Sequence, residues 1–247
     1  MRLKLTSFFV FLFIISLQTS LFSAEHLTHE KWTAILAANV DAQGHVNYKK
    51  IKENEKLLND YLAVLSANHP QPSWDKNDQL AFWINAYNAF TVKLIVKNYP
   101  VKSIKELGGA IYKVNTPWDI KFITIGDQVY DLNNIEHGII RKDFAEPRIH
   151  FAVNCASVSC PPLRNEAYVG SKLDAQLNDQ ATKFINDGKN NIITNKEASL
   201  SKLFTWFQGD FEVYGASVRD FINKYAKTKI TKKTKISFLD YDWNLNE

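Results

Sequence analysis

The segment Arg148-Ile149-His150-Phe151-Ala152-Val153-Asn154-Cys155-Ala156-Ser157-Val158-Ser159-Cys160-Pro161-Pro162-Leu163 gathers reactive side chains in a short stretch. His150, Ala152 and Asn154 alternate with Ile149, Phe151 and Val153, so the pattern predicts a strand over 148–154 with His150 and Asn154 on one face. A loop of small residues, cysteines and prolines after a strand holds reactive groups on a rigid edge. An amide beside an imidazole can orient it, as the third member of a Cys-His-Asn hydrolase does. The chemistry this points to is attack by a thiolate, with His150 as base and Asn154 as orienter. A continued strand would turn Cys155 away from His150, and only a twist at 154–156 brings the two to one side. Cys155 is the expected nucleophile, because Ala156 and Ser157 leave room for a substrate and for backbone N–H donors. Pro161 removes the N–H after Cys160 and biases Cys160 to an extended conformation.

The same pair of thiols permits other readings. With four residues between them, Cys155 and Cys160 can close a small disulfide worth roughly 2 kcal/mol on a chain-entropy argument, or stay buried and inert. No HxxxH or CxxC spacing joins Glu136, His137, His150 and the cysteines, so neither a metal nor another cofactor is expected.

Two further pairs could join the site. Glu136 and His137 sit in a short helix over 133–141 whose buried stripe is Ile135, Ile139 and Ile140. Neighbours on an α-helix project about 100° apart, so taken alone Glu136 faces solvent and His137 the core edge. Within a site, Glu136 is a second candidate to orient the imidazole. Asn85 and Asn88 lie three apart on an almost wholly apolar helix, so their amides are buried together and must be hydrogen-bonded. They either fix a neighbouring loop or line a substrate cleft, to which Arg148 and Cys160 would also contribute. Asn85, His137 and His150 are expected to converge, with His26, His29, His45 and His69 as exposed bystanders.

The elements that must position these groups follow from periodicity. Trp32, Ile35 and Leu36, then Ile51, Leu57, Leu58, Tyr61, Leu62 and Leu65, give two amphipathic helical stretches separated by Gly44. The 69–73 stretch breaks the helix, and Asp75 or Asp78 can cap the next one, which runs over 80–96 and is apolar on all sides, as a fully buried helix is. Residues 120–130 read as a hairpin turning at Gly126-Asp127. Helices are expected over 171–187 and 216–225, and a short aromatic one over 203–211. The basic 227–235 stretch, with Ile230, Ile236 and Phe238 alternating through and beyond it, reads as a solvated terminal strand. The fold class expected is α+β: a single domain over 25–247, a helical N-terminal prefix, and a central buried helix packed on a small, mainly antiparallel sheet that includes 148–154.

Arg2 and Lys4 precede an uncharged run over 5–17, and small residues follow at Ser20, Ser23 and Ala24, so residues 1–24 read as a signal peptide. The run is shorter than the roughly 20 residues a bilayer requires, and no stable membrane span is expected once it is removed. A periplasmic or secreted location follows. The net charge of +4 in 247 residues is too small to indicate nucleic acid. The partner expected is a small-molecule or peptide ligand.

Three motifs, Phe82-Trp83-Ile84-Asn85-Ala86-Tyr87-Asn88-Ala89, Ile135-Glu136-His137-Gly138-Ile139-Ile140-Arg141 and the cysteine segment from Pro147 to Leu163, resemble in that order the family called domain of unknown function 547, over about 74–211. The resemblance implies an exported bacterial member in which Asn85, Asn88, Glu136, His137, Arg148, His150, Cys155 and Cys160 form one unit, and it carries no established reaction. The function expected is a cysteine-dependent hydrolase or acyltransferase, papain-like or transglutaminase-like, acting on an amide or peptide-like substrate. The alternative is a non-catalytic envelope binding module closed by a Cys155–Cys160 disulfide.

Overall fold

The computed structural model describes residues 27–108 and 116–247; the signal peptide expected over 1–24 and His26 lie outside them. The prefix forms α1 (Glu30–Asn39), α2 (Tyr48–Glu53) and α3 (Glu55–Ala67). Their apolar faces bury Trp32, Ile35, Leu36, Ile51, Leu58, Tyr61, Leu62 and Leu65, while Leu57 stays exposed. Gly44 turns the chain after α1 at φ +85°, a conformation that favours glycine. His29 departs from the expectation of a bystander: it is buried and its Nδ1 lies 2.8 Å from the Tyr61 hydroxyl.

The apolar helix becomes α4 (Lys76–Asn98), starting earlier than its hydrophobic run because the Asp75 side chain accepts from the Asn77 N–H at 2.8 Å and caps it. Trp83 and Phe90 are 4% and 5% exposed, so this is the central buried helix. Its cover is helical: α2, α3 and the turns at 134–140 and 170–172 pack on it. The 123–130 hairpin also reaches it, the Tyr130 ring meeting Trp83 edge-on with centroids 5.6 Å apart. The α+β class stands with two small sheets, an antiparallel hairpin β1 (Ile123–Ile125) and β2 (Gln128–Tyr130), and a sheet of β3 (Ile192–Ile193), β4 (Glu197–Leu200) and β5 (Lys235–Phe238). In the latter β3 pairs with β4 antiparallel and β4 with β5 parallel; the terminal strand begins only at Lys235 and is exposed throughout, while the 227–234 stretch expected to form it is irregular and buries Ile230.

Residues 148–154 are not a strand. Pro147–Phe151 form a 3₁₀ helix, begun by proline and capped by the Glu146 carboxylate, which accepts from the Arg148 N–H at 3.0 Å. This stretch joins the two halves of the interior: Ile149, Ala152 and Val153 belong to the core around α4, and Phe151 to a second core. The second core draws on α6 (Leu173–Ile185), α7 (Leu203–Trp206), α8 (Gln208–Phe211) and α9 (Val218–Tyr225), α5 being the short Arg141–Asp143 helix.

Candidate functional site

His150 is 2% exposed, and its Nε2 lies 2.7 Å from Asp210 Oδ2. Arg141 holds both oxygens of that carboxylate, through Nε at 2.6 Å and Nη2 at 2.9 Å, a bidentate geometry that fixes its orientation. The Phe207 ring stacks on the imidazole at 3.9 Å. Burial holds the His150 pKa below its ordinary value although the Asp210 carboxylate pulls the other way. Bonds from His150 and Arg141 outweigh burial at Asp210 and hold its pKa well down. The pair is thus a neutral imidazole donating its Nε2–H to a carboxylate. The other ring nitrogen, Nδ1, is buried and has no hydrogen-bond partner.

A cavity of about 190 Å³ is lined by His150, Cys155, Cys160, Glu136 and His137. Aromatic residues from distant parts of the chain complete its wall: Tyr87 of α4, Trp118, Trp206 and Phe207 of the second core region, and Tyr241 and Trp243 of the C-terminal segment. Glu136 and His137 reach it from a π-helical turn, Asn134–Ile140, in which the Arg141 N–H bonds the Glu136 carbonyl. The wider turn reverses their expected exposure: Glu136 is buried at 7% and His137 is exposed. Such turns recur at functional sites. Burial above all, and then the Glu136 carboxylate that it hydrogen-bonds, push the Tyr87 phenol well up.

The cysteine loop reverses at Ala156, whose φ of +60° lies in the left-handed region that residues other than glycine seldom adopt. The two sulfurs lie at disulfide distance. Cys155 is half-buried and Cys160 only 5% exposed. Cys160 Sγ accepts from the Cys155 N–H at 3.0 Å, the Tyr241 hydroxyl at 3.2 Å and the Ser157 hydroxyl at 3.3 Å.

Four of the expected site residues are placed elsewhere. Asn85 spends its amide on the Tyr168 backbone, at 2.8 Å to the carbonyl and 2.9 Å from the N–H, and does not line the cavity with His137 and His150. Asn88 brackets the cysteine loop in the same way, donating to Ala152 O at 2.9 Å and accepting from Asn154 N–H at 2.8 Å. Asn154 does not orient His150. It staples the loop, donating to Pro161 O and accepting from Ala156 N–H. Arg148 is paired with Glu146 and Asp174 and ties the 3₁₀ helix to α6. The orienting role belongs instead to Asp210, 60 residues from His150, which no local spacing could have revealed.

A larger cleft, about 640 Å³, is also lined by the cysteine loop, through Asn154, Ser157 and Val158, and shares Cys160 with the first. Its imidazole, His45, pairs with Asp41 in the open, where water screens both and weakens any catalytic use of the pair.

The chain is thus an α+β protein in which a buried histidine, paired with a half-buried aspartate, and two cysteines line one aromatic cleft. The chain matches, over residues 72–185, the family described as Protein of unknown function, DUF547. No curated protein and no solved structure matches it. The matched segment contains His150 and both cysteines but neither Asp210 nor the aromatic wall from 206 to 243.

Proposed function

We propose that this cleft is the active site of a cysteine-dependent hydrolase or acyltransferase for amide or peptide-like substrates, latent while Cys155 and Cys160 are joined. The observation that carries the reading is the unpartnered Nδ1 of a buried His150 whose Nε2–H is fixed on Asp210, in the wall of a cavity that Cys155 also lines. A dithiol reductant would convert the disulfide to two thiols and itself become a disulfide. Cys155 then passes its proton to His150 Nδ1 and the thiolate attacks the substrate carbonyl. Asp210 steadies the imidazolium. The C–N bond breaks, the amine leaves with the proton from His150, and water or a second amine releases the acyl group from Cys155. Of the two thiols Cys155 is the accessible one, while the Cys155 N–H and the shorter approach of the Tyr241 and Ser157 hydroxyls, which also lie 3.4 Å from Cys155 Sγ, make Cys160 Sγ the better leaving thiolate in the reduction.

The leader over 1–24 supports export to the periplasm or the medium, where a disulfide persists. No helix of the described residues is long and apolar enough to cross a membrane. The sulfur pairing also favours a second reading, a binding module whose loop the disulfide closes for good. Thiol counting separates the two. The enzyme reading expects no free thiol in protein from an oxidising compartment, two after mild reduction of the folded chain, and one of them alkylated fast near neutral pH. A pair reducible only on unfolding, or two equally slow thiols, supports the module.

A further inference from the structure

The proposed chemistry uses His150, Asp210 and Cys155 and leaves Glu136 without a task. This carboxylate is 7% exposed, lines the cavity, and forms no ion pair with a lysine or arginine among the described residues. Arg141, on the same turn, is committed to Asp210. No lysine or arginine lines the cavity. The Tyr87 hydroxyl hydrogen-bonds Glu136 and Arg141 acts on it through space without pairing with it, so its charge is only partly compensated, and an anionic ligand would meet its repulsion.

The rings around it suit the opposite charge. The protein's own cations already use two of them: the Lys105 ammonium lies 3.9 Å from the Trp243 ring centroid and the Arg141 guanidinium 5.0 Å from that of Phe207. Tyr87, Trp118, Trp206 and Tyr241 complete the wall, and Trp206 is 46% exposed at its mouth. Aromatic faces beside a carboxylate attract cations electrostatically, most strongly where water is excluded. The volume, about 190 Å³, is below the roughly 300–1,000 Å³ of sites that enclose a whole ligand, and it suits a group the size of one side chain.

We propose that the cleft recognises an alkylammonium group of the substrate, such as a lysine side chain or a quaternary amine carries, through Glu136 and the surrounding rings. The inference rests on the proposed function for treating the cleft as a substrate site. It concerns binding alone, so the disulfide form serves to test it and a failure of the thiol chemistry would leave the result unaffected. Calorimetric titration of the oxidised full chain compares n-butylammonium with n-butanol, and choline with 3,3-dimethylbutanol, its uncharged isostere. At least one cation is expected to bind roughly tenfold or more tightly than its neutral partner, and Glu136→Gln to abolish that preference while the alcohols still bind. Equal binding of the isosteres, no binding of either cation, or a preference that survives in a folded Glu136→Gln variant would overturn the proposal. The comparison in the natural chain stands alone should that variant fail to fold. The arm that binds distinguishes a primary from a quaternary amine.

Discussion

Two imidazoles, His29 and His150, are buried neutral, and this sets how stability varies with pH. Burial lowers His29 from 6.5 to about 4, and it is the largest influence in lowering His150. Between the folded and the ordinary value the unfolded chain binds more protons, so the stabilisation is complete above about pH 6.5 and is lost as pH falls towards 4. For His29 the loss is about 3 kcal/mol. Denaturant titrations at pH 7 and pH 4.5 should show it, and His29→Gln should flatten the difference. An unchanged pH slope in that variant would contradict the assignment. His29 illustrates how residue type alone misleads, since nothing local in the prefix marks it as the partner of Tyr61. His150, Glu136, His137 and the cysteines were legible because they cluster in the sequence. Asp210 and Tyr241 join them only through tertiary packing.

Periodicity identified most elements and failed where burial is two-sided. From Ile149 to Asn154 every side chain is buried, so the alternation that suggested a strand carried no information about facing. The better signals were Pro147 in the first turn and an acidic cap before it. On α4, the spacing of Asn85 and Asn88 correctly required two buried amides with partners, though it could not say which. Each proves to be a bracket for a neighbouring backbone. Removing the Asn88 amide would leave the Ala152 carbonyl and the Asn154 N–H unpaired in the interior, at about 1–3 kcal/mol each. Asn88→Ala should therefore lose about 2–6 kcal/mol in chemical denaturation and loosen the loop carrying Cys155. A loss below 1 kcal/mol, within the range of an ordinary surface substitution, would show that the bracket is dispensable.

The site is assembled from both cores and closed by the end of the chain. The Val158 and Ser159 N–H groups donate to Asn244 O and Asp242 O, Val46 N–H to Asn246 O, and Leu245 N–H to Lys102 O. The last residues thereby hold Tyr241 and Trp243 against the cysteine loop, a role outside both the matched segment and the reach of local pattern. Truncation after Leu239 should lower the melting temperature and speed alkylation of reduced Cys155; a truncated chain indistinguishable in both would contradict this closure. The central claim, that a His-Asp pair activates Cys155, is tested most directly by mixing the reduced full chain with a small activated acyl ester and following intact mass. The account predicts one acyl adduct, on Cys155, forming at least roughly tenfold more slowly in Asp210→Asn and in His150→Ala. Acylation on Cys160 instead, or at the same rate in both variants, would contradict it.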